Sequence, residues 1–376
     1  MTINTIRRRT VVIFSLNAYK VLKPASSAAM GGSEVQMVFL ARHLLAKGYA
    51  IHFLVGNFGQ PVVETVEGMG IWRTIKLIKG FKTYVGAPFI LWWRLFQSAA
   101  DVVISSPAGP EVGLIALYCR LFGKTYIFRT ASQVDCTYGK IRDLGLIPGF
   151  FYKLGLLLAH TIVTQSEEGR AALWRYHRRH ALVIHNLFEQ VPPRHQGKLK
   201  EYVLWVGSAR AVKQPHLFLE LAAKLPHIKF CMILSQAGDL SLWHSIRDQA
   251  TALPNIQFIG EVLLADIGAY MGRAKLLVGT SRYEGWPNVY LQAAAYGVPI
   301  VSLAVNPDNF LSVYKVGEAC RGSFDELAAA VRRLWQGGDN YDQMVHAGPI
   351  YIAHAHAGDA IIKSWERLFA HTRPVH

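Results

Sequence analysis

Residues 276–301 constrain the fold more than any other stretch of the chain. Leu276, Leu277 and Val278 form an apolar run that reads as a buried strand. A polar loop carrying Arg282 and Glu284 follows. Gly285 and Pro287 let the backbone turn sharply, and Pro287-Asn288 opens a helix. That helix carries Val289, Leu291, Gln292 and the Ala293–Ala295 run. It ends at Gly297, with Pro299 just beyond, and Ile300 to Leu303 reads as a second apolar strand. The order is strand, loop, helix, strand, which puts the helix N-terminus at the carboxyl ends of the strands. Its free N–H groups and positive dipole end are a natural seat for phosphate, and Glu284 stands beside it.

A chain of 376 residues, 51% of them apolar, is long enough for two domains, each with its own core. Charge is unevenly divided. Residues 1–200 carry 25 Lys and Arg against 10 Asp and Glu, and the remainder carries 15 of each, so the whole excess of +15 lies in the first half. A one-sided basic surface points to an anionic partner such as membrane lipid, a diphosphate-linked acceptor or nucleic acid. Cys119, Cys136, Cys231 and Cys320 are scattered, with no Cys-x-x-Cys, and read as reduced cytosolic thiols. The apolar run after Arg9 is broken too soon for a signal peptide, and no apolar run approaches the ~18 residues of a spanning helix.

Val11–Leu16 reads as the first strand, followed by a loop from Asn17 to Met30. A helix then starts at Gly31-Gly32-Ser33-Glu34 and stops at Lys47-Gly48, before a strand over Ile51–Val55. Glycines at a helix start allow close backbone approach to a phosphate or sugar. Gly68-Met69-Gly70 lacks the third glycine of a dinucleotide fingerprint, and Gly123-Lys124-Thr125 lacks the first glycine of a phosphate loop. Residues 71–97 mix Trp72, Arg73, Lys76, Lys79, Lys82, Trp92, Trp93 and Arg94. This suits either a membrane surface or a half-buried helix with a solvated basic face. Leu144 to Leu158 is a second apolar segment of the same kind. Strands are expected over Asp101–Ser105, Tyr126–Phe128 and His160–Ser166. Ligands of open parallel sheets bind beyond the carboxyl ends of strands, so Arg129, Ser132 and Asp135 are candidates for sugar or acceptor contact. An Arg129–Asp135 ion pair serving structure alone is the competing reading.

Residues 191–198, with two prolines and a glycine, read as a linker. Beyond it come a strand over Tyr202–Val206, a loop with Arg210 and Lys213, and a helix from Pro215 to Leu225. Two cations at a strand–helix junction suit a diphosphate. Strands over Phe230–Leu234 and Ile256–Ile259 follow, and then the Gly260-Glu261-Val262 turn. Phe324–Trp335 and Ala360–Phe369 read as helices. His354 and His356, two residues apart, do not share a helix face, so no metal site is expected.

Glu284-Gly285-Trp286-Pro287-Asn288, closed by Tyr296-Gly297-Val298-Pro299, resembles the donor-site motif of retaining nucleotide-sugar glycosyltransferases of the GT-B kind, family 4 (glycosyl transferases group 1). Their pattern places a second acid eight residues after the first; here that position is Gln292, an amide that still donates and accepts hydrogen bonds. Lys213 lies six residues after Gly207, as in the family, while Ser208 replaces the family's arginine and Arg210 stands close by. The run from Ala159 to Ser166 follows the end of the family's first domain with His160 for aspartate, and Val183-Ile184-His185-Asn186 follows with His185 for proline.

The resemblance implies two doubly wound, Rossmann-like α/β domains facing across a cleft. Residues 1–190 would be the acceptor-side domain, 191–200 the linker and 201–355 the nucleotide-sugar domain, with 356–376 returning to the first. It implies that Glu284, Lys213 and Arg210 carry catalysis. Donor binding would fall to Gly31, Gly32, Gly260, Val262, Gly285, Trp286, Pro287, Asn288, Val289 and Gln292. Arg129, Ser132 and Asp135 would line the acceptor or sugar side. The expected activity is transfer of a sugar, with retention, from a nucleotide sugar to a lipid-linked glycan acceptor in surface polysaccharide synthesis. No cofactor and no metal are expected, in keeping with the absence of any Asp-x-Asp. Nucleic acid is not an expected partner, since no RNA or DNA motif is present. The expected location is the cytoplasm, peripheral to the inner face of the plasma membrane, with an anionic membrane surface as a partner. The alternative is a degenerate sugar-nucleotide-binding subunit of a polysaccharide assembly system, motivated by Gln292.

Overall fold

The computed structural model describes residues 9–24, 31–74, 81–106, 108–188 and 200–371. The chain forms two compact units. The first comprises the described residues up to Leu187 together with Gly358 onward, and the second is Phe188–Ala357. Residues 191–199 of the expected linker lie outside the described residues.

The first unit is built on eight strands: β1 (Thr10–Phe14), β2 (Ala50–Val55), β3 (Val63–Val66), β4 (Met69–Arg73), β5 (Val102–Ser105), β6 (Thr125–Arg129), β7 (Thr161–Thr164) and β8 (Leu182–Val183), in the order β3-β4-β2-β1-β5-β6-β7-β8. All pairings are parallel except β3 with β4. Apolar runs such as Val11-Val12-Ile13 are buried throughout, as strands covered on both faces require. Helices Phe81–Gln97, Glu111–Leu121 and Leu146–Leu158 cover one face, burying Leu91, Leu95, Ile115, Tyr152 and Leu156 against Val12, Val103 and Phe128. The last helix, Gly358–His371, packs on helix Gly32–Ala46, with Trp365 and Phe369 fully buried.

Two local expectations are corrected. A short helix, Ala18–Leu22, interrupts the loop expected from Asn17. Trp72 and Arg73 belong to strand β4 of a hairpin, not to the basic-aromatic segment that follows. Glu67 and Gly68, both at positive φ (51° and 78°), make the tight turn that joins β3 to β4. Trp72 meets His52 edge-on, with ring centroids 5.9 Å apart, and Trp92 donates its Nε1–H to the Leu114 carbonyl at 3.0 Å. Both rings therefore serve the core, and Trp93 alone of the three tryptophans is exposed, at 57%. Lys76, Lys79 and the side chain of Lys82 lie outside the described residues.

The second unit holds β9 (Tyr202–Ser208), β10 (Phe230–Ser235), β11 (Ile256–Ile259), β12 (Ala274–Gly279), β13 (Ile300–Ser302) and β14 (Gly317–Ala319), all parallel, in the order β11-β10-β9-β12-β13-β14. One apolar cluster fills each face: Trp205, Phe218, Phe230, Trp243 and Val331 on one, and Leu204, Trp286, Tyr290, Phe310 and Tyr351 on the other. The chain leaves β9 toward β10 and β11, then crosses back to β12 on the other side. The sheet's topological switch point thus lies between β9 and β12, where open α/β sheets leave a crevice at the strands' carboxyl ends. The four cysteines are buried and free; burial pushes the Cys231 thiol up to about 12.

Candidate active site

The switch point of the second unit is where the expected residues gather. Beyond β9, Ala211–Lys213 makes a single 3-10 turn, and Gln214 takes a left-handed conformation (φ 47°) that swings the chain into helix Pro215–Lys224. A non-glycine residue held there is uncommon and marks a conformation fixed by its surroundings. Beyond β12, residues 280–284 run alongside this turn and are tied to it. The Arg282 N–H donates to the Val212 carbonyl at 2.9 Å. The Thr280 hydroxyl donates to the Lys213 carbonyl at 2.7 Å, and is itself held by the buried Trp205 Nε1–H at 2.9 Å.

This frame brings Lys213 and Glu284 into a salt bridge, although 71 residues separate them in sequence. Ser281 Oγ donates to the same carboxylate oxygen, Glu284 Oε1, at 2.8 Å. Both side chains are half-buried, so the pair is fixed yet reachable from solvent. Arg210, three residues before Lys213, is exposed and opens the same turn, its carbonyl accepting the Lys213 N–H at 2.9 Å. Glycine is required behind it. Gly238 (φ 122°) sits against the Ala209 carbonyl and the Arg210 side chain, where a Cβ would collide with both.

Helix Asn288–Ala295 starts directly after Glu284-Gly285-Trp286, with Pro287 in extended conformation as its N-cap. Pro287 offers no side-chain capping bond, and the helix's first turn follows the loop that holds Glu284. The helix is seated by Tyr290, whose hydroxyl donates to Ser302 Oγ at 2.8 Å and lies so close to Gly279 that no other residue fits there. Asn288, Val289 and Gln292 are half-buried on this helix. Gly260 and Val262 lie in the turn after β11, with Val262 packed on the cluster that includes Trp286. The Trp286 ring is turned into the core. It is 6% exposed and packs on Phe310 and His356, at 5.3 and 5.5 Å between ring centroids. Its indole anchors the loop to the core. His356 in turn bonds Tyr351 at 2.8 Å.

The candidates of the first unit are more deeply engaged. At Gly31 the Glu34 carboxylate folds back over the helix start, where it meets Ser33 Oγ at 2.8 Å. Gly32 begins the helix itself. An anion at that N-terminus therefore meets a resident carboxylate. Arg129 is buried and donates to Asn186 Oδ1 at 2.5 Å; burial lowers its pKa to about 10. Asp135 is buried and accepts from the N–H groups of Ala131 and Ser132 at 2.9 and 2.8 Å, closing a capping box with Ser132. Burial raises its pKa. Its nearest cation among the described residues is Lys140, at 3.9 Å, so Arg129 and Asp135 form no ion pair. The loop's shape depends on Asp135 and Ser132, and their polar atoms point to its own backbone.

Sequence reasoning did not single out Thr280, Ser281, Trp205, Gly238 or Gly279. Ser281 and Thr280 were visible as polar residues just past a buried strand. The roles of Gly279 and Gly238 appear only when the facing residues are in place.

Residues 200–337 match the family model described as glycosyl transferases group 1. No curated protein matches the sequence. Among solved structures, sucrose-phosphate synthase from Thermosynechococcus elongatus is similar at a TM-score of 0.77 and 16% identity, over 97% of this chain and 99% of that one. HepE from Anabaena, in complex with UDP and glucose, is similar at 0.73 and 15%, over 97% and 100%. WaaG, a glycosyltransferase involved in lipopolysaccharide biosynthesis, is similar at 0.69 and 13%, over 95% and 99%. At such identities the likeness is one of fold: two α/β domains with parallel sheets, as in GT-B glycosyltransferases.

Proposed function

We propose that this chain is a retaining glycosyltransferase that takes its sugar from a nucleotide-sugar donor. The observation that carries the reading is the Lys213–Glu284 pair at the β9–β12 switch point, with Arg210 at the start of the Lys213 turn and helix Asn288–Ala295 starting just after Glu284. Cations and N–H dipoles converge where a diphosphate would lie, and a carboxylate stands where sugar hydroxyls would need an acceptor. The match of residues 200–337 to the glycosyltransferase model supports the same reading.

In the proposed reaction the bond from the anomeric carbon to the diphosphate oxygen breaks while the acceptor oxygen bonds that carbon from the same face. The acceptor's proton passes to the departing phosphate oxygen, so no separate base is needed. Lys213, Arg210 and the N–H groups after Pro287 stabilise the charge that grows on the leaving diphosphate. Glu284 orients Lys213 and accepts from donor-sugar hydroxyls, and Gln292 bonds the ribose. Gly260 and Val262 offer backbone groups to the base. The acceptor is a lipid-linked glycan of surface polysaccharide synthesis, and the basic first half brings the protein to an anionic membrane surface on the cytoplasmic side. No helix among the described residues is long and apolar enough to cross a membrane.

The test is incubation with UDP-, GDP- and ADP-sugars, beginning with UDP-glucose because the HepE structure holds UDP and glucose, followed by NMR of the product's anomeric configuration. An inverted product rejects retention. Donor binding without turnover for any acceptor favours the degenerate subunit, whose one motivating observation is Gln292 in place of the family's acid.

A further inference from the structure

Helix Leu146–Leu158 of the first unit carries an apolar face toward the core and another toward solvent. Its inward face is Gly149, Tyr152, Gly155 and Leu156, and its closest contacts are made at the glycines. Gly155 meets the backbone of Val112 and Gly113, Gly113 in turn meets the Phe151 carbonyl, and Gly149 meets the Ile141 carbonyl. No Cβ fits at these contacts, so the helix lies with its backbone against helix Glu111–Leu121. Four further large apolar residues point outward. Leu146 is 94% exposed, Ile147 71%, and Phe150 and Leu157 62% each. Packing does not require this stripe, and water penalises it.

Charge names the occupant. The helix holds no acidic residue, and Lys153 stands on the exposed stripe itself. At its carboxyl end Arg120 Nε donates to the Leu158 carbonyl at 2.9 Å and Arg179 Nη2 to the Ala159 carbonyl at 2.6 Å. Among the described residues no carboxylate pairs with Lys153, Arg120 or Arg179. An apolar stripe rimmed by unneutralised cations fits the interface of a bilayer with anionic headgroups, where acyl chains take the side chains and phosphates take the cations. A second copy of this chain fits less well, because a two-fold contact would set these cations against their own copies.

We propose that the outward stripe of helix Leu146–Leu158, with its rim of Lys153, Arg120 and Arg179, is the surface by which this protein docks on an anionic lipid bilayer. The proposal rests on the reading above that such a membrane is a partner, and it names described residues for the contact.

The test is co-sedimentation of the full chain with vesicles of phosphatidylcholine alone or mixed with phosphatidylglycerol. The wild type is expected on the mixed vesicles only, with binding weakened by salt. Phe150→Ser combined with Leu157→Ser should lower that partitioning at least about tenfold, and Lys153→Glu should lower it severalfold. Both variants should keep the wild-type melting temperature and the donor's thermal shift, since these side chains face solvent. Wild-type binding that both variants retain overturns the docking surface while leaving the membrane reading in place. No wild-type binding at low salt overturns both. A wild-type dimer that Phe150→Ser converts to monomer overturns the proposal in favour of a self-interface.

Discussion

Lys213 and Glu284 neutralise each other in the structure, and the proposed reaction gives that pairing a use. A half-buried lysine held by a carboxylate is pre-aimed, and an arriving diphosphate meets a fixed cation rather than a mobile one. Glu284→Gln keeps the shape and the hydrogen bond from Ser281 but removes the charge that aims Lys213. Turnover should fall about 100-fold or more, by analogy with the loss of a preorganised charged group, with little change in melting temperature. Steady-state kinetics beside a thermal melt checks this, and near-normal turnover in the folded variant would sink the assignment. Lys213→Ala removes one charge-assisted contact, typically about 1.5–3 kcal/mol, and so should weaken nucleoside diphosphate binding roughly 10- to 100-fold by calorimetry. Gln292→Glu, which restores the family's acid, should leave transfer intact; loss of activity would show that the amide is required as it stands.

Among the elements, the strands were legible because a parallel sheet covered on both faces demands continuous apolar runs. Ile256–Ile259 and Phe230–Leu234 fall where the sequence places them, to within a residue. The β3–β4 hairpin was not legible. Its strands are short, its turn uses Glu67 at positive φ, and the neighbouring glycines drew attention to phosphate motifs instead. That Lys213 and Glu284 stand on neighbouring loops was legible from the order of strands and loops, and the structure pairs them, whereas the burial of Trp286 was not legible. An aromatic in a loop motif reads as a ligand contact until Phe310 and His356 are seen to enclose it. Close helix packing carries its own prediction. Gly155→Ala drives a methyl group into the backbone of Val112 and Gly113. Overpacking of this kind costs about 1–3 kcal/mol, measurable as a lower midpoint in urea; an unchanged midpoint would mean that the two helices separate freely. The same unit should be acid-sensitive. Burial lowers the pKa of both His52 and His160, and His160 Nδ1 accepts the Tyr126 N–H at 3.1 Å. The unfolded chain takes up these protons first. The stability they contribute is therefore whole above the ordinary histidine value and falls as pH drops below it, which melts recorded from pH 8 to about 5 would follow.

On the scale of the whole molecule, the chain crosses from its first unit to its second at Leu187–Phe188 and returns at Ala357–Gly358. The returning helix completes the core of a unit laid down some three hundred residues earlier. Ile362, Trp365 and Phe369 are buried, the Arg9 guanidinium donates to the Phe369 carbonyl at 2.5 Å, and the Tyr49 ring meets Phe369 edge-on at 5.6 Å. Cutting the chain after Ala357 removes all of this from the first unit and nothing from the sheet of the second. Loss of a single large buried side chain costs about 3–5 kcal/mol, and a domain's whole stability is about 5–15 kcal/mol, so deletion of three should leave the first unit largely unfolded. Hydrogen exchange on the truncated chain should show protection lost in β1 and β2 and kept in β9, β10 and β12. Nucleoside diphosphate binding should persist to the extent that Lys213, Arg210 and the helix after Pro287 supply it. Equal loss of protection in both sheets would mean that the units fold as one. Full protection in β1 and β2 would mean that the last helix contributes no core.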